Sequence, residues 1–219
     1  ETSFPYSMGF HQAPFDGRFE SEGEVFGSAL TLQYDFSETL ALKSISAYRY
    51  FNQDTICSLT GNGVMRGFVL DPVSFAPVGI EDLNGPYNCN NAPQRQDQYS
   101  QELQLVGATE RWKYVGGLFY FEETADEYNN QRLTFVLPGG TAGLNLAPVS
   151  SFGGDTTSKA IFGQVSYRPA VLDDRLEVSV GGQHTKDERT FFSSAFTEEG
   201  DQDFDNDSWL LSANYQISD

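Results

Sequence analysis

Two cysteines, two histidines and a run of alternating aspartates are the residues of this chain whose types could do chemistry. Cys57 and Cys89 lack the Cys-x-x-Cys spacing of a redox pair, which leaves a structural disulfide or two free thiols. His11 and His184 would make a metal centre only if the fold brought them together, and no carboxylate beside either has ligand spacing. Asp201, Asp203, Asp205 and Asp207 have the opening beat of a calcium loop. Asn206, however, stands where the loop needs glycine and Ser212 where it needs a closing glutamate, so a solvated acidic loop is the preferred reading. No Gly-x-Ser-x-Gly elbow, phosphate loop or His-Glu-x-x-His element occurs. Glu102, Glu177 and Asp187 could pose as an acid/base set, but their alternating positions suit the wall of a polar lumen equally well. No catalytic, metal or cofactor site is expected, and the chain does not read as an enzyme.

The elements that must hold these residues are constrained by composition. With 31 acids against 13 bases, the formal charge of −18 is the wrong sign for a nucleic-acid partner. A chain with 11 Tyr and 18 Phe in 219 residues has ample apolar surface to bury, which excludes disorder. No stretch approaches the roughly 20 consecutive apolar residues of a membrane helix. Membrane β-strands remain allowed, because they need only about 9 to 11 residues of alternating polarity. The mean hydropathy of −0.41 is compatible with them. Glu1 is preceded by no starting Met or charged, apolar leader, and any signal peptide is expected to lie outside these residues.

Strand-like runs fall near 23 to 36, 40 to 52, 97 to 107, 112 to 124, 158 to 168, 175 to 189 and 207 to 216. Short joints alternate with long ones, which run at about 53 to 96, 125 to 157 and 190 to 206. Compact soluble domains rarely carry several structureless loops of such length, whereas outer-membrane barrels pair short periplasmic turns with long extracellular loops. On that reading residues 1 to 22 lie outside, the first strand runs inward, and Asp219 ends at a periplasmic turn. Alternation assigns faces, since residues i and i+2 share one side of a strand. Phe26, Leu30, Leu32, Tyr34 and Phe36 suit lipid, as do Leu176, Val178 and Val180. Glu177, Ser179, Gln183, Thr185 and Asp187 suit the lumen. In the second strand the face with Lys43 and Arg49 is assigned inward, because a Lys facing mid-bilayer lipid costs roughly 2 to 4 kcal/mol. Tyr34, Phe36, Trp112, Tyr114 and Tyr167 are expected at a periplasmic aromatic girdle, and Tyr48, Tyr50, Tyr99, Tyr120 and Trp209 at the outer one.

The runs LALKSISAYRYF (Leu40 to Phe51), QYSQELQLVG (Gln98 to Gly107), WKYVGGLFYFEE (Trp112 to Glu123), KAIFGQVSYRP (Lys159 to Pro169), LEVSVGGQHTKDER (Leu176 to Arg189) and WLLSANYQISD (Trp209 to Asp219) resemble consecutive barrel strands of TonB-dependent receptors. They are most similar to the ferric-siderophore-receptor-like group. The resemblance extends from about Gly23 to the end of the chain, and six weakly specific runs in series make a strongly specific one. It implies a 22-stranded plugged barrel importing a scarce ligand, a ferric siderophore or similar, with energy relayed by TonB. The plug domain and the C-terminal aromatic strand of the family are missing, so residues 1 to 219 are expected to be a partial barrel. The expected fold is all-β: an antiparallel transmembrane sheet of about seven strands, open as an isolated piece, its first and last strands unpaired.

Cys57 and Cys89 share the long second connection, extracellular here, and a protein that crosses an oxidising periplasm is expected to join them. Arg49, Arg66, Lys186 and Arg189 are candidates to meet an anionic siderophore at the outer mouth, with Tyr87 and Tyr128 for aromatic packing. Lipid and lipopolysaccharide are the expected surroundings, in the bacterial outer membrane. A passive porin and a secreted β-sandwich binding module are the competing readings.

Overall fold

In the computed structural model the described residues are 20–58, 65–83, 88–89, 92–138, 142–171, 174–196 and 198–217. Seven long strands form a single antiparallel meander: β1 (Glu20–Ser37), β2 (Leu40–Ser58), β6 (Gln94–Ala108), β7 (Trp112–Val136), β9 (Val149–Tyr167), β10 (Leu176–Ser193) and β11 (Glu198–Tyr215). Each pairs with its successor in that order. Four short strands, β3 (Met65–Leu70), β4 (Pro77–Leu83), β5 (Asn88–Cys89) and β8 (Gly143–Leu146), lie within the connections. Among the described residues β1 pairs only with β2 and β11 only with β10, so the sheet is open at both edges, as expected of a partial barrel wall.

The expected loops need correction. The connections assigned to 125 to 157 and 190 to 206 are largely strand: β7 continues to Val136, β9 begins at Val149, and only four positions separate Ser193 from Glu198. Runs such as Glu198 to Asp207 are rich in Asp, Gly and Asn, weak strand formers that read as turn. Pairing with a neighbouring strand nevertheless satisfies their backbone groups, and the hairpins continue past the apolar band. The connection of 53 to 96 likewise carries strand, with β3 and β4 forming a hairpin and β8 running parallel to β3.

A one-layer sheet has little interior. Among the described residues no large side chain is fully buried, and the core residues Val69, Ala142 and Leu144 belong to the small β3, β8 and β7 unit rather than to the main sheet. Leu30 and Val180 stay more than half exposed, at 57% and 59%. An apolar face spread over seven strands is an aggregation surface in water and suits lipid.

Candidate functional site: the two faces of the barrel wall

Cross-strand partners in an antiparallel sheet point to the same side, so the register reads out each face row by row. One row runs Leu105, Gly116, Gly163, Gly182, Trp209 from β6 to β11. Another joins Ser44, Leu103, Leu118 and Ile161 and ends on the His184 and Asp207 pair. This is the apolar face. Polar side chains on it pair with one another: Ser46 Oγ donates to Gln101 Oε1 at 2.5 Å, Gln101 Nε2 donates to Ser44 Oγ at 3.0 Å, and His184 and Lys186 meet Asp207 and Glu188. Unpaired polar groups in hydrocarbon are costly, so this closed set lets Gln101 face lipid.

Aromatic rings bound the apolar face at both ends. Trp112 and Tyr167 are directly opposite in the register, with ring centroids 4.3 Å apart, and Tyr34 meets Phe36 edge-on at 5.0 Å. At the other end Tyr99 and Tyr120 lie 6.5 Å apart. Tyr48 donates its hydroxyl to Asp97 at 2.6 Å and Tyr120 to Glu122 at 2.9 Å. An apolar ring with its hydroxyl on a carboxylate is the arrangement an interface between hydrocarbon and water favours. The eight residue steps from Trp112 to Tyr120 span about 27 Å of strand, or about 20 Å across a membrane at the usual tilt, close to the apolar band of such barrels.

The opposite face is polar. Lys43 pairs with Gln33 and Gln104, which bears out its assignment away from lipid. Higher up, one row runs Arg49, Gln98, Glu123, Thr156, Arg189, Gln202 across six strands. Gln98 and Gln96 both donate to Glu123 Oε2, the latter at 2.9 Å. The Arg189 guanidinium lies 5.6 Å from the Phe204 ring centroid and 3.8 Å from Asp187 Oδ2. At the turn end, Lys113 and Arg168 converge on Glu177 Oε2 at 2.9 and 3.1 Å, and Arg111 meets Asp174 at 3.0 Å. That network ties the β6–β7 and β9–β10 hairpins together at their short turns.

The residues expected to meet a ligand separate in the structure. Arg49 and Arg189 share the lumen-side row just described. Lys186 pairs with Lys159 and Asp205 on the opposite, outward face, where it bonds Glu188 at 2.9 Å. Tyr128 belongs to β7 on the outward register with Trp112 and Tyr120, not to a loop over the lumen. Both stand away from the lumen because one residue of offset reverses a strand side chain. Arg66 lies in β3 opposite Asp82 on the backbone ladder, and its side chain, like Tyr87 and His11 altogether, lies outside the described residues. Cys57 and Cys89 are directly opposite on the β2 and β5 ladder; their side chains also lie outside the described residues. His184 Nδ1 is 2.8 Å from Asp207 Oδ1 on the outward face. Asp201, Asp203, Asp205 and Asp207 are strand residues about 6.8 Å apart in sequence-alternate steps, not a loop that could wrap an ion. Sequence reasoning missed the upper lumen-side residues Glu127 and Phe152, whose signal was alternation continuing past residue 124.

A family model described as TonB dependent receptor-like, beta-barrel, matches residues 3–219. The chain belongs to the TonB-dependent receptor β-barrel family. Proteins of this family are receptors and transporters of the outer membrane, not enzymes, and the lipid and lumen faces derived above are what such a barrel wall requires. Among solved structures, the ferric yersiniabactin uptake receptor FyuA from Yersinia pestis is similar, with a TM-score of 0.57 and 17% identity over 91% of this chain. The match spans 27% of that receptor, and at this identity it speaks for the fold. No curated protein matches the chain.

Proposed function

We propose that the protein containing this barrel wall imports a ferric siderophore or similar scarce ligand across the outer membrane, with energy relayed through TonB to a plug domain. The observation that supports this most is the pairing of an aromatic-bounded apolar face with a polar lumen-side face in a chain of this family. Arg49, Gln98, Glu123 and Arg189 line the lumen side in one row beyond the apolar band, on the path of an incoming ligand. The chain's contribution is binding and passage. A β-sandwich module would need a second layer packed on the apolar face, and none packs there among the described residues.

The test is growth and uptake. A strain lacking the full gene is compared with its parent on a panel of iron-loaded siderophores, with and without the inner-membrane energiser. The reading expects loss of uptake of at least one iron complex on deletion, and equal loss when the energiser is removed. Uptake that persists undiminished without the energiser would establish a passive pore instead.

A further inference from the structure

The outer part of the lumen-side face is acidic and aromatic, not basic. Its described carboxylates, Glu123, Glu127, Asp187 and Glu198, outnumber the guanidinium groups of Arg49 and Arg189. Arg189 is already engaged by Asp187 and the Phe204 ring. On the same face a depression of about 370 Å³ is lined by Phe51, Gln94, Gln96, Glu127 and Phe152, with Arg95 and Asp126 bordering it from the opposite register. Gln94 Nε2 donates to Glu127 Oε2 at 3.2 Å and so holds the carboxylate in place. Two phenyl rings beside a fixed carboxylate make a seat for a cationic group carried on an apolar stem. The ring faces attract the cation through their quadrupoles, and Glu127 supplies the counter-charge. The whole chain, at −18, adds a field of the same sign, which concentrates cations and repels polyanions at the mouth.

We infer that the ligand of this barrel carries a positive group, an ammonium or guanidinium, which docks between Phe51, Phe152 and Glu127 on the lumen side of β2, β7 and β9. The inference rests on the siderophore reading and narrows it: a ferric complex with a free amine fits, and a ferric tris-catecholate trianion does not. It replaces the expectation of an anionic ligand that the arginines alone suggested.

The experiment uses the full-length receptor in outer-membrane vesicles and three iron probes. These are a linear trihydroxamate complex with a free terminal amine, the same complex N-acetylated, and a tris-catecholate complex. Affinity for the amine form should exceed that for the acetylated form by about tenfold, and the trianion should bind weakest. Glu127→Gln should reduce the tenfold preference to about twofold while leaving the acetylated form unaffected, at unchanged receptor abundance. Phe152→Leu keeps an apolar side chain of similar bulk and should cost the amine form a few-fold on its own. Preference for the trianion, equal binding of amine and acetylated forms, or an unaltered preference in both variants would overturn the inference alone. Binding of none of the three iron complexes would overturn the siderophore reading, and the inference with it.

Discussion

Trp112 and Tyr167 face each other across β7 and β9 with their ring centroids 4.3 Å apart, at the end of the apolar face where the chain makes its short turns. The pair fixes the depth at which two hairpins leave the membrane. Trp112→Ala in the full-length receptor should therefore lower its stability in lipid by about 1 to 2 kcal/mol, read as a reduced urea midpoint. Trp112→Phe should recover most of the loss, and an unchanged midpoint for Trp112→Ala would remove the girdle role.

Cys57 and Cys89 sit opposite each other on the β2 and β5 ladder, at the backbone distance from which a cross-strand disulfide can form. In receptor extracted from outer membranes both should resist thiol labelling until reduced. Joining them would hold the long second connection against β2 with a constraint of roughly 3 to 4 kcal/mol. Labelling of both without reduction would refute the bond.

Gly154 of β9 lies beside Thr190 of the neighbouring β10, and a methyl group there would run into the carbonyl oxygen of Thr190. That obstacle is backbone and cannot rotate away. Gly154→Ala should destabilise the barrel by about 1 to 3 kcal/mol through displaced strands, whereas Gly116→Ala, whose nearest neighbour is an ordinary 3.7 Å away, should cost little. Parallel urea unfolding of the two variants makes the comparison, and equal midpoints would count against the close approach.

The hairpin turn between β3 and β4 depends on Asp71. Its Oδ1 accepts from the Ser74 amide at 2.7 Å, the Ser74 hydroxyl at 2.8 Å and the Val73 amide at 3.0 Å. These bonds, those from Ser74 foremost, hold the carboxyl below its usual value near 3.8. A depressed carboxylate contributes order that is complete above its ordinary pKa and is lost as pH falls through the depressed one. A nitroxide at Val73 should accordingly become more mobile only once the pH drops below about 4. In Asp71→Ala it should be mobile at every pH, and mobility independent of pH in the parent would show that the carboxylate does not hold the turn.

Much of this architecture was legible in the sequence because strand alternation is a strict code. The faces of β1, β6 and β10 follow from Leu30 and Leu32, from Leu103 and Leu105, and from Val178 and Val180 without any knowledge of neighbours. Even Lys43, on the least regular strand, was placed by the cost of a cation in lipid. What the pattern could not show was how far the strands run once they leave the membrane. There both faces meet water, the alternation of apolar and polar residues weakens, and Asp and Asn read as loop. The consequence is concrete: Lys186 and Tyr128 read as ligand-facing residues of the outer mouth, whereas pairing sets them on the outward face. Glu127 and Phe152 were overlooked because their seat exists only when β7 and β9 are extended and in register.

One face of this sheet meets lipid and the other the lumen. Val180 and Gln183 test it most directly, being three residues apart on β10 and on opposite faces by register. With a nitroxide placed singly at each position of the full-length receptor in lipid bilayers, collisions with dissolved oxygen and with a water-soluble nickel chelate are compared. Oxygen-dominated collisions are expected at Val180 and chelate-dominated collisions, or exclusion of both by the plug, at Gln183. Chelate access at Val180 together with oxygen-dominated collisions at Gln183 would invert the faces and contradict the account.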